Sequence, residues 1–431
     1  MLIKYFKYLS NSVFVKNVAV VMSGTAVAQL IGLALSPIIS RLFTPSDFGI
    51  FGSFNAVLLV ICAGVTLQYS QALMLPKEDT NAANVFLISI VSVLFITIIV
   101  ILAVCIAPVK LLSLLKAQDG YWLLWFFTLG TFLRGANQAF QAWCIRQKAF
   151  AITSISRVLR GISANVSQIG LGIFSAGGTG LVAGSVFADG LATLNLACQV
   201  FKKDFLLIRQ AVNWKKMKKL AIEYRDFPLF SSPQNILNAL SQGLPILLLG
   251  YYYGIAVAGL YAFGVRILQA PMGFVLVALR QVLFQKASET HNHGGKLFPL
   301  YLKTTGGLFA MAIIPSVILF IWAPSIFSLI FGSKWYEAGV YARWLILWLT
   351  LLFCNLPSTL FAAILRQQRN LFFYEVVILL SRTFALVAGG LLLSAKGTII
   401  LFSVVGCLLN IFYIFWIGCL VKKHTDISTI K

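Results

Sequence analysis

Eight charged residues lie inside long apolar stretches of this 431-residue sequence, and they are the side chains best placed to do chemistry. Six are arginines and two are carboxylic acids: Arg134, Arg157, Arg160, Arg266, Arg343, Arg382, Asp189 and Glu375. Arginine stays charged at any biological pH and forms paired hydrogen bonds with phosphate groups. The excess of positive charge therefore favours an anionic ligand. The alternative is that each arginine pairs with a carboxylate or with helix carbonyls and only holds helices together.

Helical spacing gathers these charges and several amides into polar faces. One stretch, 121–145, holds four such residues at the i, i+3, i+4, i+7 spacing that defines one side of a helix. Other apolar stretches carry arginines or amides three or four residues apart. The sequence predicts that ten residues line a hydrated, cationic cavity: Arg134, Asn137, Gln138, Gln141, Arg157, Arg160, Gln234, Asn238, Arg266 and Arg382.

The two carboxylates, Asp189 and Glu375, are candidates for binding a coupling proton or cation. Acidic side chains within membrane helices often mark ion pathways and proton relays. The alternative is that each carboxylate only neutralises a neighbouring arginine. Glu375 and Arg382 are seven residues apart on one side of a helix, so they are a candidate pair of this kind.

The elements that must position these residues are membrane helices. A content of 59% hydrophobic and 11% charged residues indicates that lipid is the main solvent of the chain. Each charge near the bilayer centre costs roughly 2.5–3.5 kcal/mol, so the charged side chains should face the bundle interior or water. A crossing helix needs about 20 mostly apolar residues. Such helices are predicted at 15–40, 49–75, 83–107, 121–145, 150–175, 178–201, 228–250, 255–284, 301–324, 338–365, 370–394 and 397–421.

Lysine and arginine are distributed unevenly between the predicted loops. With the N-terminus placed in the cytoplasm, 23 of the 34 fall in inside loops or termini, five in outside loops and six within spans. Short loops rich in lysine and arginine stay on the cytoplasmic side. The predicted topology therefore has many membrane passes and both termini in the cytoplasm.

The chain also divides into two halves of six predicted spans. The second span opens with Gly49–Gly52 and the eighth with Gly259–Ala262, while Ala107-Pro108 is echoed by Ala323-Pro324. Halves with an even number of spans insert in the same orientation, which implies a pseudo-twofold axis along the membrane normal. We therefore predict an all-α integral membrane fold with two six-helix lobes around a central cavity. Its parts are an N-lobe, a basic cytoplasmic linker and a C-lobe at 1–201, 202–226 and 227–431.

Several other classes of function are disfavoured. The formal net charge of +22 does not indicate nucleic-acid binding, because the charges sit in short loops and form no continuous basic face. The sequence has no Gly-Lys-Ser/Thr P-loop, so an ATPase is not expected. Neither a cofactor nor a metal is expected, since no ligand cluster of cysteine, histidine and carboxylate is evident.

Four motifs resemble those of bacterial polysaccharide repeat-unit flippases of the Wzx type. In chain order they are Ser40–Phe51 (SRLFTPSDFGIF), Tyr224–Phe230 (YRDFPLF), Ala258–Tyr261 (AGLY) and Phe331-Gly332 followed by Trp335. The first two are fairly specific, and the other two are weak alone. The resemblance covers essentially the whole chain, with the motifs in the same order.

This resemblance implies membership of the multidrug/oligosaccharidyl-lipid/polysaccharide (MOP) exporter superfamily. It implies transport of undecaprenyl-diphosphate-linked oligosaccharide from the inner to the outer leaflet of the bacterial inner membrane, for O-antigen or capsule assembly. Besides membrane lipids, the implied partners are a polysaccharide polymerase and a chain-length regulator. The cationic interior inferred from the residues agrees with a diphosphate-linked substrate.

Two other functions remain open. A multidrug exporter of the same superfamily, of the MATE type, would share the fold, but its organic cations would be repelled by an arginine-rich cavity. A membrane enzyme such as a polymerase or ligase would be expected to have a large outer loop with catalytic residues. The predicted outer loops are short and show no nucleophile–base pair. The expectation is therefore a transporter and not an enzyme.

Overall fold

The computed structural model describes residues 13–114, 120–292, 296–365 and 367–428. Within these ranges the regular elements are all helices, and no strand occurs among them. The chain divides into two compact units, Met1–Gly243 (unit 1) and Leu244–Lys431 (unit 2). The lobe boundaries expected from the sequence stay a prediction, and the stretch 202–226 belongs to unit 1 in the structure.

Unit 1 is built from nine α-helices and the first part of a tenth, within the described ranges. Their bounds are α1 Val13–Leu42, α2 Pro45–Gly64, α3 Tyr69–Ala72, α4 Asp79–Ile106, α5 Pro108–Leu114, α6 Tyr121–Arg146, α7 Phe150–Ile173, α8 Gly177–Ala211 and α9 Trp214–Glu223. A π-helical turn, Phe227–Ser231, then leads into α10, Ser232–Tyr253.

Unit 2 contains the end of α10 and the remaining described helices. Their bounds are α11 Ile255–Asn292, α12 Leu297–Phe331, α13 Tyr336–Cys354, α14 Leu356–Ile364, α15 Gln368–Leu392 and α16 Ala395–Ser428, with a 3-10 turn at Ser333–Trp335.

Each of the twelve predicted spans coincides with one of these helices or with two consecutive ones. Eight described helices are long and apolar enough to cross a membrane, and Ala26–Leu42 of α1 forms a shorter apolar helix. Helices α6, α7 and α10 are not among the eight, because arginine, asparagine and glutamine lower their hydropathy. These are three of the helices on which the sequence places polar faces.

The span predicted at 49–75 is not continuous. Helix α2 ends at Gly64, and Leu67 and Gln68 then adopt left-handed backbone conformations with φ of 48° and 60°. Such conformations are uncommon for residues other than glycine. The side-chain amide of Gln68 donates to the carbonyl of Ala63 at 2.6 Å, which satisfies a backbone group that the break leaves free. The expectation of one uninterrupted helix was therefore wrong here.

The span predicted at 338–365 is also interrupted. It forms α13 and α14, which meet at Asn355. The side chain of Asn355 donates a hydrogen bond to Asn410 on α16. Pro357 follows in the first turn of α14, where a missing N–H costs little.

The first resemblance motif forms the connection between α1 and α2. Thr44 is the N-cap of α2, and its Oγ1 accepts a hydrogen bond from the backbone N–H of Asp47 at 3.3 Å. In return, Asp47 Oδ2 accepts from the backbone N–H of Thr44 at 2.8 Å. Pro45 occupies the first helical turn, where proline is favoured. The motif thus fixes a helix start through a reciprocal capping box.

The last of the four motifs packs in the core of unit 2 against Phe263, two residues after the third motif. Trp335 is buried with its ring centroid 4.0 Å from that of Phe263 on α11. Phe331 packs edge-on against Phe263 at 5.0 Å. Gly332, between them, has a φ of 103°, a conformation that favours glycine. The motif residues therefore fix the turn after α12 against α11.

Helices α7 and α8 approach each other closely at a glycine. A Cβ atom added to Gly184 would lie 2.9 Å from the Cγ of Gln168 and 3.0 Å from its backbone nitrogen. Small residues at such positions let membrane helices approach backbone to backbone. By contrast, a Cβ added to Gly170 on α7 would meet no atom within 4 Å.

We expect Gly184→Ala to destabilise the protein, because the added methyl group forces α7 and α8 apart. Overpacking of this kind costs about 1–3 kcal/mol. The matched change Gly170→Ala adds the same group to a helix in open space and should leave the melting temperature equal or higher. Thermal unfolding of the purified variants in detergent measures both effects. Equal melting temperatures for the two variants would contradict the close approach of the helices.

Candidate functional site

A buried carboxylate in unit 1 joins two of the predicted cavity arginines. Asp189 on α8 has 2% of its side chain exposed. Its Oδ2 accepts a hydrogen bond from the Nε of Arg134 on α6 at 2.7 Å. Its Oδ1 accepts one from the Nε of Arg160 on α7 at 2.5 Å. A single carboxylate thus connects three helices through two charge-assisted hydrogen bonds.

Arg134 is held by further side chains around this carboxylate. Its Nη2 donates to Asn55 Oδ1 on α2 at 2.7 Å and to Ser185 Oγ on α8 at 3.4 Å. Only 17% of the Arg134 side chain is exposed, compared with 47% of the Arg160 side chain. Arg134 is therefore the fixed member of the pair, and Arg160 presents the more accessible guanidinium group.

A chain of amides extends the group towards Arg157 on α7. Arg157 Nη2 donates to Gln141 Oε1 at 3.4 Å, and Gln141 Nε2 donates to Asn137 Oδ1 at 2.5 Å. Asn137 Nδ2 in turn donates to Thr193 Oγ1 at 3.3 Å, and Thr193 Oγ1 donates to the carbonyl of Asp189 at 2.7 Å. The polar face predicted on α6 therefore forms one network with α7 and α8.

Gln138 belongs to the same predicted face but serves a different purpose. Its Nε2 donates to the carbonyl of Cys62 at 3.1 Å. That carbonyl lies in the last turn of α2, just before the helix break at Leu67 and Gln68. A side-chain donor there satisfies a backbone acceptor that the interrupted helix leaves without an intrahelical partner.

The charges of this arginine cluster do not cancel. The cluster comprises Arg134, Arg157, Arg160 and Asp189, three cations and one anion, and its formal net charge is therefore +2. Charges in a partly buried site interact more strongly than in water, because screening is weaker there. Such a site attracts anions and repels cations, and its exposed guanidinium group can form paired hydrogen bonds with a phosphate.

Arg382 occupies a different environment, in unit 2. Its guanidinium carbon lies 4.6 Å from the ring centroid of Trp348 and 5.6 Å from that of Phe402. Cation–π contacts of this kind stabilise a guanidinium group away from water. Glu375 lies on the same helix, α15, and is half-buried. Its pairing with Arg382 stays a prediction.

The remaining predicted residues are distributed over α10, α11 and α13. Arg266 on α11 is half-buried and, among the described residues, has no hydrogen-bond or ion-pair partner. Gln234 and Asn238 are exposed on α10, and Asn238 Oδ1 accepts from Gln242 Nε2 at 2.6 Å. Arg343, which the sequence left outside the cavity, donates to the carbonyl of Ile321 at 2.9 Å.

The sequence analysis missed three residues that form hydrogen bonds with the arginine cluster: Asn55, Ser185 and Thr193. A signal for two of them was present, because Ser185, Asp189 and Thr193 are spaced four residues apart and share one side of α8. Asn55 has no polar side chain three or four positions away on α2, so no periodic pattern identified it. Within the described residues, no group of three or more histidine, cysteine or acidic side chains could hold a metal ion.

Comparison with known structures shows the fold. An inward-facing multidrug resistance MATE family transporter of the MOP superfamily aligns with a TM-score of 0.73 and 16% identity, covering 93% of this chain and 95% of that one. The lipid II flippase MurJ, in an inward closed conformation, aligns with a TM-score of 0.69 and 11% identity, covering 94% and 90%. The predicted all-helical membrane fold is thereby confirmed, and it is shared with a transporter of the MOP superfamily.

A third structure of the same fold is a MOP superfamily transporter from Pyrococcus furiosus. The binding pocket of that transporter has a reverse polarity, which suggests a different function for it. It aligns with a TM-score of 0.59 and 13% identity, covering 95% of this chain and 96% of that one. Identities this low establish the fold and not the cargo.

Comparison with sequence families is more specific. No curated protein sequence matches the chain. Residues 38–339 match the family described as polysaccharide biosynthesis protein. This match includes all four resemblance motifs complete, together with the whole arginine cluster. Because it extends over more than half of the sequence, the chain belongs to the polysaccharide biosynthesis protein family.

Proposed function

We propose that this protein moves oligosaccharide repeat units linked to undecaprenyl diphosphate from the cytoplasmic to the outer leaflet of a bacterial inner membrane. The units would serve O-antigen or capsule assembly, and a polymerase and a chain-length regulator would act next. Transport would proceed by alternating access, with the polar helix faces exposed first to one side and then to the other. The observation that carries the proposal is the arginine cluster on α6, α7 and α8.

The charge of the cluster suits the proposed substrate. A diphosphate that links a lipid to a sugar carries one negative charge on each phosphate, and the cluster has a formal net charge of +2. Arginine can bind each phosphate through two parallel hydrogen bonds. The exposed guanidinium group of Arg160 is the most accessible donor. Family membership and the shared fold with the lipid II flippase MurJ support a lipid-linked cargo.

The polar helix faces would lower the free-energy barrier to moving this substrate across the membrane. The hydrocarbon tail of the substrate can remain in lipid, but the diphosphate and the sugars cannot cross about 30 Å of hydrocarbon unaided. Asn137, Gln141 and Thr193 supply amide and hydroxyl groups next to the charged cluster. Such groups can exchange hydrogen bonds with sugar hydroxyls, while the arginines hold the diphosphate.

Asp189 has a positioning role in this proposal. It holds Arg134 and Arg160 through their Nε atoms, so their Nη nitrogens can point elsewhere. It also lowers the positive charge of the site from +3 to +2, which weakens the grip on an anion. A transporter must release its cargo, so moderate affinity favours turnover. Glu375, which also lies in a candidate span, is then the better candidate for ion coupling, because Asp189 is engaged by two arginines.

Removing Arg160 should stop polysaccharide export while leaving the protein inserted at normal levels. Loss of one charged contact to phosphate costs about 1.5–3 kcal/mol, which is roughly ten- to a hundredfold in affinity. Arg134→Ala and Arg266→Ala should have the same effect on export. Arg134→Ala should also lower the melting temperature, because it removes the hydrogen bonds that Asn55 Oδ1 and Asp189 Oδ2 accept. Surface polysaccharide and membrane protein levels in a complemented deletion strain measure these outcomes.

Arg343→Ala is the matched control, because it also removes an arginine from a predicted span. The Arg343 side chain donates to the helix carbonyl of Ile321. This variant should leave export near the wild-type level. Lysine at position 160 should restore export only partly, because the charge is kept but the paired geometry is lost. Wild-type export by both Arg160→Ala and Arg266→Ala would refute the assignment of these arginines to the substrate.

Asp189→Asn and Glu375→Gln should separate positioning from coupling. Asp189→Asn leaves two arginines without their counter-ion and should lower stability by about 1–3 kcal/mol and slow transport, with its dependence on the ion gradient unchanged. Glu375→Gln should remove that dependence and leave substrate binding intact. Transport into proteoliposomes, with and without an ion gradient, measures both. Loss of ion dependence in a stable Asp189→Asn variant would instead make Asp189 the coupling group.

An ion-coupled multidrug exporter is the second candidate, favoured by the likeness to the MATE family fold. The arginine cluster argues against organic cations as cargo, because a net charge of +2 repels them. Overexpression that raises resistance to cationic drugs, with no effect on polysaccharide, would favour this second function.

The orientation of the chain in the membrane can be tested separately. Reporter fusions at Lys77, Lys215 and Lys296 should report the cytoplasm, and fusions at Gly177 and Lys396 should report the outside, because lysine and arginine concentrate in inside loops. One clearly reversed site in the second half would refute the proposed twelve-span topology.

A further inference from the structure

Helix α9 presents a basic surface on unit 1. Four of its ten residues are lysines, and all four are exposed: Lys215, Lys216, Lys218 and Lys219. Met217 and Leu220, on the opposite side, are buried in the hydrophobic core of unit 1. The helix is therefore amphipathic, with an apolar side that is already covered and a cationic side that faces outward.

The helix is fixed at both ends by hydrogen bonds to other helices of unit 1. At its start, Asn84 on α4 donates to the carbonyl of Ala211 at 2.8 Å and accepts from the backbone N–H of Asn213 at 3.1 Å. At its end, the hydroxyl of Tyr69 donates to the carbonyl of Ala221 at 3.0 Å. The lysines thus project from a rigid support and not from a free loop.

The position of α9 along the chain puts this surface at the membrane boundary. The candidate span Gly177–Ala211 ends three residues before α9 begins, and Asn84 lies near the start of the candidate span Asp79–Ile106. Large apolar side chains are exposed beside the lysines: Trp214 is 73% exposed and Ile222 57%. Exposed aromatic and apolar side chains next to lysines are typical of helices at the headgroup level of a bilayer.

We propose that this surface, formed by the four lysines of α9 with Trp214, binds the headgroups of anionic phospholipids in the membrane that surrounds the protein. The argument is charge complementarity at a fixed depth. Lysines near a membrane surface are attracted to anionic lipids, and Trp214 can enter the region between headgroups and acyl chains. Lys202, Lys203 and Arg209 at the exposed end of α8 add to the same positive field.

The proposal does not depend on the cargo of the transporter. A merely solvated surface would show no preference between anionic and zwitterionic lipids. If α9 instead bound the diphosphate substrate, the lysines and the arginine cluster would bind the same ligand, and variants of either would change its binding. The experiment separates these cases by lipid headgroup and by variant.

The test uses the full-length protein in detergent micelles and titrates phosphatidylglycerol or phosphatidylcholine while the melting temperature is measured. Phosphatidylglycerol should raise the melting temperature at a lower mole fraction than phosphatidylcholine, and high salt should reduce this difference. Replacing all four lysines by glutamine should raise the half-saturating phosphatidylglycerol fraction by at least about tenfold, since each lysine contributes about fivefold and any two together already exceed that. Replacing them by arginine should keep the response.

A control of equal charge change is available in unit 2, where Lys296, Lys303, Lys422 and Lys423 are also exposed. Their replacement by glutamine should leave the response at the wild-type level, and so should Arg157→Ala in the arginine cluster. The proposal is overturned if the α9 glutamine variant responds like the wild type, or if the unit 2 control loses as much. Loss of the response in Arg157→Ala would also overturn it, by placing the anion at the arginine cluster.

Discussion

The helix arrangement and the charge of the site in unit 1 both depend on the hydrogen bonds from Arg134 and Arg160 to the single carboxylate of Asp189. Three guanidinium groups among apolar helices would repel one another, and nothing would offset the free-energy cost of burying them. Asp189 offsets part of that cost and ties α6, α7 and α8 together through its two oxygens. It leaves two positive charges uncancelled. The same contacts therefore support the helix arrangement and keep the site attractive to anions.

The polar helices around this carboxylate are possible because unit 1 supplies their hydrogen bonds internally. Helices α6 and α7 are less apolar than the eight candidate spans, since they carry the arginines and amides of this polar network. The break after α2 would expose carbonyls to an apolar surrounding, and the side chains of Gln68 and Gln138 donate to two of them. Irregular backbone at membrane depth is tolerated where protein or water satisfies it. Helix break and polar face thus depend on each other.

The periodicity of the sequence was enough to predict the helices and the polar face of α6, because Arg134, Asn137 and Gln141 follow a helical repeat that the structure retains. It could not predict the helix break, since positive φ at Leu67 and Gln68 depends on tertiary contacts and not on glycine. Nor could it predict that Arg382 is set against aromatic rings, because those rings come from helices distant in sequence. The spacing of residues along the sequence identifies the polar and apolar faces of a helix. Packing between helices decides which side chains contact each face.

The fold alone does not decide the cargo, since a MATE transporter and a lipid II flippase share it with this chain. What differs between transporters of one fold is the chemistry of a few side chains. An organic cation needs carboxylates or aromatic rings without competing cations, whereas a diphosphate needs fixed donors with excess positive charge. In unit 1 the only carboxylate within the arginine cluster, Asp189, is already engaged by two arginines. It is therefore not available to a cationic drug, and the accessible charge of the site is that of arginine.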